Sequence, residues 1–85
     1  MTNYGRLLTK ILSGRSDANI DFDDIRRLLE RLGFVERMRG SHHIFVKAGI
    51  RDMINIQREG RMAKPYQARQ VRAIITDNGL SLEEE

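Results

Sequence analysis

The chain has 85 residues, room for one domain and not two, because a chain this short buries only about 60% of the surface it exposes unfolded. Hydrophobic residues at 40% and charged residues at 32% exclude the composition of a disordered chain, and the lack of cysteine excludes a disulfide framework or a thiolate zinc site. No apolar run approaches the roughly 20 residues of a membrane span or the core of a signal peptide, so the expected location is the cytoplasm.

Formal net charge is only +3, yet the two signs are segregated along the chain. Residues 25–76 hold twelve Lys or Arg against four acids, a net of +8, while acids collect in 17–24 and 83–85. Such a segment presents a positive field to a polyanion, with nucleic acid the first candidate and an acidic protein the second.

In chain order, Leu7, Leu8, Ile11 and Leu12 mark one face of a helix over 4–13, stopped at Gly14. A polar turn follows to Asn19. Asp21 is a natural N-cap, with Asp23 and Asp24 suited to the first turn of a second helix. Ile25, Leu28, Leu29 and Leu32 form its apolar stripe, and Gly33 is its expected stop. The period then changes. Residues 34–39 read as a strand, Gly40-Ser41 as a tight turn, 42–47 as a second strand and 53–57 as a third, with Ile54 and Ile56 on one face and Met53, Asn55 and Gln57 on the other. Residues 58–66 read as a long basic loop, and a last helix begins at Gln67, carries Ala68, Val71, Ile74 and Ile75, and stops at Asn78-Gly79. The tail 81–85 is expected to fray. The fold class expected from this order is α+β: a three-stranded antiparallel meander with helices on one face and the other face open.

The chemistry available is limited. With two histidines, no cysteine and no phosphate-binding glycine loop, many enzyme classes drop out. His42 and His43 are adjacent on a strand, so their rings point to opposite faces and cannot share one metal ion; no metal or other cofactor is expected. One ring should face the helices and the other the open side, where imidazole, which ordinarily titrates near neutral pH, can serve as general acid or base. Histidine among cations suffices to cleave RNA without metal, since the substrate's own 2′-hydroxyl is the nucleophile. Arg37, Arg39, Gly40, Ser41 and Lys47 are candidate phosphate contacts around the turn and second strand. Lys64, Tyr66, Gln67 and Arg69 are candidates for a clamp around Pro65, although a tyrosine beside proline also serves as a packing plug.

Leu32-Gly33-Phe34, Arg39-Gly40-Ser41-His42-His43-Ile44-Phe45 and the closing Asn78-Gly79-Leu80-Ser81 resemble HicA, the toxin of HicBA-type toxin–antitoxin modules, over residues 21–81. The resemblance implies a double-stranded-RNA-binding-domain-like α-β-β-β-α fold, an mRNA interferase activity and inhibition by a HicB-type antitoxin. It implies a catalytic histidine directly after Gly-Ser, which is His42, with His43 as the alternative. The family's Pro-x-His element after the third strand is missing, since Gln57-Arg58 stand there, and the helix over 4–13 is additional to the family core. A non-catalytic RNA-binding module and a protein–protein adaptor are the competing readings, and the oligomeric state is left open.

Overall fold

In the computed structural model, which describes residues 3–82, three α-helices pack on one side of a three-stranded antiparallel sheet. Helix α1 spans Tyr4–Ser13, α2 spans Phe22–Arg31 and α3 spans Pro65–Asp77; strands β1 (Val35–Arg39), β2 (His42–Val46) and β3 (Ile54–Gln57) lie between α2 and α3. From α2 onward the order is α-β-β-β-α, the double-stranded-RNA-binding-domain-like arrangement expected from sequence.

Local chemistry sets the helix ends. Asn3 accepts from the Arg6 amide at the start of α1, and Gly14 closes it with φ 71°, a conformation that costs glycine little. The Asp21 carboxylate accepts from the amides of Asp23 and Asp24 at the start of α2. Residues 17–19, expected as plain turn, form one 3₁₀ turn. The last helix begins two residues earlier than the periodicity suggested. Pro65 occupies its first turn, where a missing N–H costs nothing, and Gln67 bonds back to the Lys64 amide.

The sheet order is β1-β2-β3. Residues Arg39 and His42 pair across the Gly40-Ser41 turn, Arg37 pairs with Ile44, and Val35 with Val46; on the other side His42 pairs with Gln57 and Ile44 with Asn55. Gly40 has φ 58°, as a two-residue hairpin with glycine leading requires; among the described residues no non-glycine residue has positive φ.

Phe45, Ile54 and Ile56 point to the helices and join Phe22, Ile25, Leu28, Leu29, Val71 and Ile75 in one buried cluster. Each fully buried side chain of this size contributes about 1.5–3 kcal/mol. Leu7 and Ile11 bring α1 into the same cluster, and Arg72 of α3 donates to the Ile11 carbonyl at 3.1 Å and to Asp17 at 2.8 Å. The first helix is therefore tied to the rest of the domain by burial and by a guanidinium that joins the Gly14 amide on a helix-end carbonyl. Leu80 and Leu82 also pack against the cluster; residues 83–85 of the tail expected to fray lie outside the described residues. Among the described residues no helix is long and apolar enough to cross a membrane.

Candidate functional site: two faces of one histidine pair

Alternation along β2 separates the two histidines. His42 lies exposed on the open face together with Ile44 and Val46, whereas His43 turns toward the helices and is 6% exposed. The expectation of one imidazole on each side is met.

On the open face His42 Nδ1 lies 3.0 Å from Asn55 Oδ1. An amide oxygen only accepts, so Nδ1 donates to it, and in the neutral ring this leaves the lone pair on Nε2. Arg39 stands directly across the strand pair from His42 and Arg37 one position further along, a separation of roughly 5 Å between opposed Cβ atoms. Ser41 Oγ accepts from Gln57 Nε2 at 2.8 Å, which steadies the turn beside the ring. Arg37, Arg39, Gly40 and Ser41 thus gather around His42, as their places in the hairpin predicted. The side chains of Arg37 and Arg39 have no carboxylate partner among the described residues.

On the covered face His43 Nδ1 lies 2.6 Å from Glu36 Oε2 and the ring meets Phe22 edge-on, with centroids 5.1 Å apart. Arg26 of α2 grips Glu36 with two bonds of 2.8 and 2.9 Å and also donates to Asp23 at 2.9 Å. Arg58 pairs with Asp23 and lies over the Phe22 ring, 4.8 Å from its centroid. The Arg26 guanidinium, then the His43 ring, hold the Glu36 carboxyl below its ordinary value; Arg58 and then Arg26 do the same for Asp23. This is a closed network of opposite charges at the edge of the core.

The remaining sequence candidates are distributed elsewhere. Lys47 follows β2 at the end of the strand away from the turn, with its Nζ against Gly33, whose φ of 98° would strain any other residue. Lys64 caps α3, and Tyr66 and Arg69 lie in its first two turns, in the helical layer. The Lys64 ammonium is paired with Glu59, and Tyr66 and Arg69 are exposed. Gln67 is a correction to the clamp expectation: it is 1% exposed, and its side chain accepts from the Lys64 amide at 3.1 Å and donates to the Gln57 carbonyl at 2.8 Å. The buried amide is held by two backbone groups, so it does not reach out to a ligand. The basic loop is also less free than its length suggested. Phe22 N donates to Arg61 O at 3.0 Å and Ala63 N to Ile20 O at 2.7 Å, pinning the loop to the entrance of α2.

The excess charge of the +8 segment is about halved in space by the four acids of residues 17–24. Asp17 pairs with Arg72, Asp21 with Arg61, Asp23 with Arg26 and Arg58, and Asp24 with Arg27. Three of these pairs, Asp17 with Arg72, Asp21 with Arg61 and Asp23 with Arg58, join residues remote in sequence, whereas Arg37 and Arg39, across the strand pair from Ile44 and His42, have no carboxylate partner among the described residues. Sequence reasoning missed Asn55 and Gln57 as partners of the site and missed Glu36 as an inward carboxylate. The period-2 pattern did place Asn55 and Gln57 on the open face, but their partners lie 13 and 16 residues away.

Among the described residues no group of three or more His, Cys, Asp or Glu could hold a metal ion. No curated protein and no solved structure matches the chain. The profile of the family described as HicA toxin of bacterial toxin-antitoxin matches residues 22–80, which takes in α2, the whole sheet, the histidine pair and α3 but not α1. The chain therefore belongs to the HicA toxin family, the toxin half of a bacterial pair whose other half is an antitoxin.

Proposed function

We propose that this toxin is a cytoplasmic, metal-independent endoribonuclease that cuts mRNA on the open face of the sheet, with His42 as general acid/base, and that a HicB-type antitoxin neutralises it. The observation that carries this reading is the exposed His42 ring, oriented through Nδ1 by Asn55, with two guanidinium groups on the neighbouring strand that have no carboxylate partner among the described residues.

The chemistry follows from those groups. His42 Nε2 takes the proton of a ribose 2′-hydroxyl, whose oxygen attacks the adjacent phosphorus. The bond from phosphorus to the 5′-oxygen breaks, the imidazolium returns its proton to that departing oxygen, and the products are a 2′,3′-cyclic phosphate and a free 5′-hydroxyl. Arg39 and Arg37 offset the negative charge that builds on the phosphorane oxygens, with planar forks matched to phosphate. Gly40 leaves space above the turn: nothing lies within 4 Å of the place a side chain would occupy. Lys47, Tyr66 and Arg69 would act, if the RNA is long, as outlying contacts; Lys64 would first have to leave Glu59.

Incubating the purified protein with single-stranded RNA in excess chelator tests the activity. Shorter products ending in cyclic phosphate are expected, with no cutting where a 2′-deoxy residue replaces the attacking ribose. Intact RNA after prolonged incubation, at a concentration that binds it, would reduce the protein to an RNA-binding module.

A second reading rests on one specific contact. The Glu36 carboxylate beside His43 Nδ1 is the arrangement that fixes a catalytic imidazole in other enzymes. Burial of the ring against Phe22 favours a structural role, and His43→Ala decides between them: loss of cleavage with an unchanged melting temperature would move the reaction to the covered face.

A further inference from the structure

The nuclease reading uses the turn end of the open face and leaves the rest of it unexplained. Beyond His42 the face carries a shallow depression of about 530 Å³ lined by Arg37, Met38, Arg39, Ile44, Val46 and Met53. Met53 and Val35 beside it are each 59% exposed, a high value for side chains of this kind in a chain with so small a core. At the rise of a β-strand, Ile44 stands roughly 7 Å and Val46 roughly 13 Å from His42 along β2. None of the strand positions on this face is acidic.

We infer that the depression formed by Arg37, Ile44, Val46 and Met53 seats one unstacked nucleobase of the RNA strand whose phosphate lies at His42, and so makes the protein select unpaired RNA. This rests on the RNA reading of the same face. The floor is apolar and can cover the plane of any base, and the Arg37 guanidinium is of the kind that stacks on bases or contacts phosphate. Duplex RNA gains nothing from such a floor, because its bases are stacked inside and it offers phosphates and a shallow groove. Continuity decides for RNA over an acidic protein: the depression and the His42 centre share Arg37 and Arg39, whose spacing of roughly 7 Å along β1 follows an extended ribose-phosphate chain running from one to the other.

The test uses the His42→Ala protein, so that RNA stays intact, and a fluorescent single-stranded oligoribonucleotide together with versions lacking one base at each successive position. Anisotropy at fixed salt should find one position where removing the base weakens binding about tenfold. Met53→Ser and Ile44→Ser, checked by melting to be folded, should bring the intact strand down to that level and leave the abasic strand unchanged. Arg37→Gln should weaken both. Equal binding of intact and abasic strands, or an intact-strand affinity indifferent to Met53→Ser, as expected if the face takes an acidic protein, overturns the inference; so does absence of binding. If wild type leaves RNA uncut but the base-dependent step is present, the nuclease reading fails and the base seat stands. If wild type cuts and no position matters, the base seat alone fails.

Discussion

The two sides of β2 put identical side chains to different uses. On the covered side His43 has a carboxylate, an aromatic edge and two nearby guanidinium groups that are themselves bound to acids. Every charge there has an opposite charge in contact, and little capacity remains for a ligand. On the open side His42 has a neutral amide behind it and two guanidinium groups with no carboxylate partner among the described residues. Ion pairing, more than the number of cations in a segment, marks where a polyanion can bind.

If the covered side is structural, changes there act on stability. Phe45→Ala removes a large buried side chain and is expected to cost about 3–5 kcal/mol, read as a lowered midpoint in urea, whereas Met53→Ala on the open side should stay within about 0.5 kcal/mol. Equal effects would erase the distinction between the faces. Gln67→Leu strips the Lys64 amide and the Gln57 carbonyl of their partner and should cost about 1–3 kcal/mol; no loss in the same titration would mean that water replaces the amide.

Glu36→Gln sharpens the comparison through pH. Arg26 and His43 hold the Glu36 carboxyl below its ordinary 4.5, so the folded state favours the ionised form. Its contribution is fully present above that ordinary value and is lost as pH falls through the lowered folded value. At pH 7 the variant should be less stable by about 1–2 kcal/mol, and the gap should begin to narrow below pH about 4.5 and close once pH is under the lowered folded value. A gap that persists in acid would point to packing and not charge. On the open side the smallest effect is expected: Arg39→Gln should leave the melt within about 0.5 kcal/mol and reduce the salt dependence of RNA binding by about one phosphate contact. An unchanged slope would remove Arg39 from the interface.

Much of this frame was legible in the sequence because it follows from short-range rules. The caps at Asp21 and Gly14, the leucine and isoleucine stripes, and the alternation that sends His42 and His43 to opposite faces all depend on neighbours within about four residues. The start of α3 was read too late because periodicity begins at apolar residues, whereas the helix begins at Pro65, whose fixed φ suits a first turn. Gln67 looked like a surface amide until its two backbone partners were in place. The neutralised charge was least legible. Arg72 and Asp17 are 55 residues apart, and Arg58 and Asp23 are 35 apart, so no local pattern joins them. Within the site, the Gly-Ser-His-His element showed where the histidines are, but the partners that give each ring its role come from other strands and from α2.

The account is tested most directly by making His42→Ala and His43→Ala and measuring, for each, cleavage of single-stranded RNA in chelator and the thermal midpoint. It predicts that His42→Ala loses at least about a hundredfold in cleavage with an unchanged midpoint, and that His43→Ala has a lowered midpoint while its folded fraction still cuts. An active His42→Ala protein beside an inactive, fully stable His43→Ala protein would contradict it and place the chemistry under the helices.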